Sequence, residues 1–230
     1  TEEQPHEYLP LELDTLKAEL IAGFSIYVQA PKGYALYRES GTSLDEASIE
    51  QLRQAGVQVV YVQADDTESL EEYLQKFMRA TFDDPGALID EKARGIELSW
   101  GIVARQILRR PTALQINRAR PIIEMAVAEM ENAPELTYEL LLNTETSFSL
   151  PSHLVNSSVF TIAMCGPLTI SKPSEKQALA LSAFLHDIGK ALLPEHLLQK
   201  SGKLSTAEWA QMRQHSLLGC NLLSTIKDVP

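Results

Sequence analysis

The sequence predicts an α+β amino-terminal module followed by an all-α helical bundle, and three observations carry that prediction. Over the first 80 or so residues, short runs of alternating apolar residues are interleaved with helical spacing. From Trp100 onward, every periodic segment is helical and no β-period appears. Between the two, the cluster Asp83, Asp84, Pro85 and Gly86 is a clear turn signal, so the domains are drawn as residues 1–85 and 86–230.

The elements follow in order. Phe24, Ile26 and Val28 alternate with small or polar partners, as do Tyr34 and Leu36 after Pro31, Lys32 and Gly33, which reads as a hairpin. From Ser43 to Ala55, the positions Leu44, Ala47, Ile49, Leu52 and Ala55 suit a short helix that Gly56 closes. Val57 to Val62 is a β-branched strand, and Asp65 to Thr67 offers caps for a helix holding Leu70, Tyr73, Leu74 and Phe77. The pattern weakens from Arg79 to Ser99. Helical segments then run through Ile102 to Leu108, Ile122 to Met130 and Leu136 to Leu142, punctuated by Pro111, Pro121 and Pro134, the last two at helix starts or breaks. From His153 to Leu223, apolar helical stretches alternate with short loops.

With 230 residues and 44% apolar content, the chain can bury ordinary cores. Its formal charge of −11 argues against tight nonspecific binding to a nucleic-acid polymer or an anionic membrane. No apolar run approaches the roughly 18 residues that cross a bilayer, and the acidic start Thr1 to Glu7 is unlike a signal peptide, so a soluble, cytoplasmic protein is expected. Cys165 and Cys220 sit among apolar neighbours at no metal-knuckle spacing and read as reduced core residues. Trp100 and Trp209 read as packing residues. The arginines at 105, 109, 110, 118 and 120 read as a solvated face pairing with acids.

The chemistry concentrates in LSAFLHDIGKALLPEHLLQKSGKL, residues 181 to 204. Adjacent His186 and Asp187 present an imidazole and a carboxylate to one cation, a donor set that suits iron, manganese, zinc or nickel without choosing among them. Further ligands must come from elsewhere. Of the five histidines, His153 and His215 lie in helical segments on either side, 33 residues before and 29 after His186, far enough for a helix to leave and return. A bundle aims such side chains at one interior point. Asp187 is placed to bridge two metals, and Lys190 offers a compact positive charge to a phosphate. His6 and His196 read as ordinary histidines, and Asn156 either orients a neighbour or packs.

At these residues the chain resembles the HD superfamily and, within it, the HD-GYP group of bacterial cyclic di-GMP phosphodiesterases. HDIGK, then PEHLLQKSGKL, then Glu208, Met212 and His215 fall at the group's steps, and HLVNSSVFTIAM from 153 resembles the helix bringing its first histidine. These motifs span roughly residues 150 to 223. The resemblance implies an HD-type bundle with His153, His186, Asp187 and His215 as metal ligands, a catalytic role for Asp187, and Lys190 as a catalytic, substrate-binding contact to phosphate. It implies divalent metal ions, two in number, iron or manganese, with a cyclic dinucleotide as substrate and protein partners in a signalling pathway. Ser149 stands where some members carry a glutamate for a third metal.

The group's histidine pair, GYP loop and later aspartate have no counterpart before Pro230. The expectation is therefore a chain cut before the GYP motif, with little or no activity by itself, because a partial ligand set holds metal weakly. Two other readings stand beside it: a degenerate HD-GYP protein acting as a regulatory or binding module, and an HD-type nucleotide phosphohydrolase. More loosely, FSIYV and GVQVVYV flanking a helix resemble the small module that often precedes HD-GYP domains, which implies a regulatory or packing role for residues 1–85.

Overall fold

The computed structural model describes residues 8–20, 23–42, 44–144 and 149–227. The expectations for His6, for the acidic start, for Ser43 as the first residue of a helix and for the chain's end at Pro230 fall outside these residues. Two compact units divide the chain at Ala87 and Leu88.

The first unit is a four-stranded antiparallel sheet with two helices. Its strands are β1 (Tyr8–Glu12), β2 (Ile26–Ala30), β3 (Gly33–Arg38) and β4 (Val59–Gln63), in the order β1-β4-β2-β3. The helices are α1 (Glu46–Gln54) and α2 (Thr67–Phe82). The hairpin lies where the alternation puts it. Leu9, Leu11, Ile26, Val60 and Val62 are buried, so one face of the sheet is apolar core. Asp45 caps α1 by accepting from the Ser48 amide at 2.8 Å, and Gly56 follows at φ +79°. In α2, Tyr73 packs edge-on against Phe24 and donates its hydroxyl to the Thr15 carbonyl at 2.8 Å; burial raises its pKa.

Strand β1 has no counterpart in the periodicity reading. It is an edge strand with Pro10 inside it, and a proline is tolerated there because its missing N–H costs no ladder bond on the solvent side.

The second unit is helical: α3 (Ile89–Arg109), α4 (Ala113–Asn132), α5 (Pro134–Leu142), α6 (Leu150–Cys165), α7 (Pro173–Leu185), a 3₁₀ turn (Ile188–Leu192), α8 (Glu195–Leu198), α9 (Thr206–Met212) and α10 (His215–Leu223). Trp100 on α3 is fully buried and packs edge-on against Phe184 of α7, with ring centroids 6.0 Å apart. Ser158 of α6 donates its hydroxyl to the Ala180 carbonyl of α7 at 3.1 Å, tying together the helices that lead to the site.

Four expectations need correction here. The stretch before Ser99 is helical from Ile89, with Ala93 and Ile96 buried among charged neighbours that blur the period. Pro121 lies inside α4 rather than at a start or break; the helix continues through it because the flanking Ile116, Ala119, Ile122 and Ile123 are all buried. Cys165 is buried as expected but Cys220 is exposed, one residue past the buried Gly219 and so on another face of α10. Trp209 is also exposed, on α9, which buries none of its residues.

Candidate metal centre

Each histidine of the site is presented by a helix end. Ser149 caps α6, accepting from the Ser152 amide at 3.2 Å, and His153 follows in the first turn. Ser149 therefore serves as a helix cap. His186 follows the last residue of α7, Asp187 opens the 3₁₀ turn, and His215 begins α10.

The side chains converge. His153 Nε2 lies 3.2 Å from His186 Nε2 and 3.3 Å from Asp187 Oδ2, which is also 3.3 Å from His186 Nε2. These three residues form a compact donor set. His215 Nε2 approaches the other carboxylate oxygen, Oδ1, at 3.1 Å. Asp187 is buried while His153 and His186 are exposed, so the set opens to solvent from one side. The structure thus brings together His153, His186, Asp187 and His215, and adds Lys190, whose Nζ donates to Asp187 Oδ2. His196 sits apart on α8 and is exposed.

The ring protons can be assigned from what the other nitrogens touch. His186 Nδ1 is 2.7 Å from the Ala183 carbonyl and His215 Nδ1 is 2.7 Å from the Met212 carbonyl, each three residues back. A carbonyl only accepts, so each Nδ1 carries a proton and each ring turns its Nε2 toward Asp187, where it either shares a proton with the carboxylate or offers a lone pair to a cation. Imidazoles anchored by backbone carbonyls through the second nitrogen are the usual preparation for metal ligation. The donor set therefore fits a divalent cation of the N- and O-binding kind.

Burial pushes the Asp187 carboxyl pKa up, but the hydrogen bond from Lys190 and the charges of His186, Lys190 and His215 outweigh it and hold it below the ordinary carboxylate value. The group is therefore anionic at neutral pH, as a ligand must be.

Two features lie outside what the sequence reading singled out. Lys200 donates to both oxygens of Glu208 at 2.8 and 2.6 Å, while Glu208 accepts from the Ser205 amide at 2.6 Å and Ser205 Oγ accepts from the Glu208 amide at 3.3 Å. This capping box and ion pair fold the loop before α9, the helix that supplies the Met212 carbonyl. The S-x-x-E spacing was the available signal. The second is the close approach of Gly189 to α10, marked in the sequence only by a glycine two residues after Asp187 and another four after His215.

Residues 122–230 match the family described as HD domain. Among curated proteins, the chain is 27% identical over 127 residues to a cyclic di-GMP phosphodiesterase of Pseudomonas aeruginosa, covering 55% of this chain and 25% of that protein. It is 29% identical over 106 residues to a 3′3′-cGAMP-specific phosphodiesterase of Vibrio cholerae, covering 46% and 20%. The chain thus spans a quarter or less of the length of these curated relatives. Among solved structures, an HDG"Y"P protein from Bdellovibrio bacteriovorus shares the fold at a TM-score of 0.63 and 24% identity, covering 95% of this chain and 72% of that one. No helix among the described residues is long and apolar enough to cross a membrane.

Proposed function

We propose that residues 122–230, an HD domain homologous to cyclic di-GMP phosphodiesterases of the HD-GYP group, serve as the metal-holding half of a phosphodiesterase that opens a cyclic dinucleotide. The observation that carries this reading is the convergence of two imidazole nitrogens on Asp187 Oδ2 and of a third on Oδ1. Two oxygens of one carboxylate, each faced by its own histidines, suit a pair of cations better than one. His153, His186 and Asp187 would hold the first and His215 with Asp187 the second; iron and manganese are the favoured pair.

When bound, such ions supply Lewis-acid polarisation of a phosphoryl oxygen and a water of lowered pKa. The chain's own residues do the rest. Carbonyls of Ala183 and Met212 fix the tautomers of His186 and His215. Lys190 pairs with Asp187 in the structure, and with cations bound its charge would be available to the substrate phosphate. Half-exposed His153 and His186 leave one side of the centre open to a phosphodiester.

The substrate class rests on the named activities of the Pseudomonas and Vibrio relatives, and those two names differ in the base they specify. Cyclic di-GMP is the favoured substrate. The test pairs metal analysis by mass spectrometry on this chain with linearisation assays of cyclic di-GMP and 3′3′-cGAMP by the native gene product. Bound iron or manganese with faster opening of cyclic di-GMP is expected. A metal-free protein after loading, or opening of mononucleotide phosphates alone, would overturn the reading.

A further inference from the structure

We propose that Gly189 and Gly219 are positioning residues: their contact seats His215 on Asp187 and so completes the second half of the donor set. The inference rests on the metal-centre reading above. Gly189 lies two residues after Asp187, in the buried part of the 3₁₀ turn, and Gly219 is the buried residue of α10, one helical turn after His215. A Cβ on Gly189 would stand 1.9 Å from the His215 carbonyl oxygen, 2.5 Å from the Gly219 nitrogen and 2.8 Å from the His215 carbonyl carbon. All three are backbone atoms, which cannot rotate aside. A Cβ on Gly219 would meet the Gly189 nitrogen at 3.2 Å and Ile188 Cγ2 at 3.5 Å, a tighter fit that small shifts accommodate.

Conformational freedom is not the reason for glycine at 189. The glycines with positive φ are Gly33, Gly41 and Gly56. What Gly189 supplies is absence of volume, which lets the turn carrying Asp187 lie directly against the backbone of His215. The atom that a side chain at 189 would strike belongs to the same residue whose Nε2 stands 3.1 Å from Asp187 Oδ1. Any side chain there must part the turn from the first residue of α10 by about an ångström, and His215 and Asp187 are drawn apart with it. His153 and His186 sit on α6 and at the end of α7 and do not depend on this contact. The expected consequence is a split site, in which three donors remain and the fourth is lost.

Cobalt(II) titration followed by its visible absorption distinguishes this role from general loss of structure. Wild type, Gly189→Ala, Gly219→Ala, His215→Ala and the double variant Gly189→Ala/His215→Ala are compared. Gly189→Ala is expected to weaken cobalt binding by about as much as His215→Ala, roughly 10–100-fold, and to give the same altered spectrum. The double variant is expected to bind no more weakly than either single one, because both remove the same ligand. Gly219→Ala, whose Cβ meets its nearest neighbour at 3.2 Å and which is therefore expected to fold even if Gly189→Ala does not, should fall between wild type and His215→Ala. Wild-type affinity and spectrum in both glycine variants, or losses that multiply in the double variant, would overturn the proposal. A wild type that takes up no cobalt would instead sink the metal reading. The glycine contact is then judged on metal-free protein by histidine ring NMR, where movement of the His215 signals alone supports it and unmoved His215 signals refute it.

Discussion

The two units place their side chains by different means. In the first, strand pleating does the work: Leu9 and Leu11 point inward from β1 and Val60 and Val62 from β4, while the outer face carries one tyrosine per strand. Tyr8, Tyr27, Tyr34 and Tyr61 touch ring to ring across that face at 4.1 to 5.0 Å. In the second unit, the important groups are placed by helix ends and by one close approach of backbone to backbone at Gly189. Alternation tolerates exchange of one apolar residue for another, whereas a site set by helix ends depends on single atoms. Volume changes in the first unit should therefore cost stability without chemistry, and small changes in the second should cost chemistry.

The largest expected effect is that of Asp187→Ala. It removes both oxygens on which the histidines converge, and cobalt or manganese affinity should fall by at least roughly 100-fold, more than loss of an outer partner costs. Isothermal titration measures it. On the other side, Tyr34→Ser at the exposed tyrosine face should leave that affinity within about twofold, as surface changes far from special features do. Equal losses from both variants would erase the contrast between the units.

Next in size is Leu74→Ala in α2. Leu74 is fully buried, and such truncations cost about 2–5 kcal/mol through lost transfer energy and the cavity left behind. Urea denaturation followed by tyrosine fluorescence is expected to show the loss, with metal affinity in the folded protein unaltered. Parallel loss of metal affinity would show that the two units do not behave separately.

These contrasts also explain what was legible in the sequence. Hairpin, α1, β4 and α2 could be read because a period of two or of 3.6 is printed directly in the residue types. Strand β1 could not, since its proline and its position at the sheet edge leave only Leu9 and Leu11 to carry the pattern. Motif spacing points to His153, His186, Asp187 and His215, because it reports that helices return, without saying which carboxylate oxygen each ring will face. The split between Oδ1 and Oδ2, the carbonyl anchors and the Lys200–Glu208 clamp are consequences of backbone position. The exposure of Cys220 and Trp209 is illegible for the same reason, because apolar neighbours in the sequence do not reveal which face of a short helix is covered.

A smaller effect is expected from Ser205→Ala, which removes the hydroxyl that accepts from the Glu208 amide at the start of α9. Loss of such a cap costs about 1 kcal/mol. Hydrogen exchange should show faster opening at Thr206 to Glu208, with the His153 and His186 side of the site unmoved. Unchanged exchange there would mean that the Lys200 ion pair alone holds the loop.

The smallest effect concerns the pH range over which that loop stays closed. Hydrogen bonds from Lys200 and from the Ser205 amide bring the Glu208 pKa down from 4.5 to about 2. A carboxyl whose pKa is depressed in the folded state adds stability that is fully present above its unfolded value and fades as pH falls through the folded one. The clamp should therefore stay intact through mildly acidic conditions and weaken only between about pH 4.5 and 2. Carbon-detected NMR of the Glu208 carboxyl gives the midpoint directly, and Lys200→Met should bring it back toward the ordinary glutamate value. A midpoint near 4.5 in the unmodified chain would show that neither Lys200 nor the Ser205 amide holds the Glu208 carboxylate, and the Lys200–Glu208 pair would then contribute nothing to placing α9.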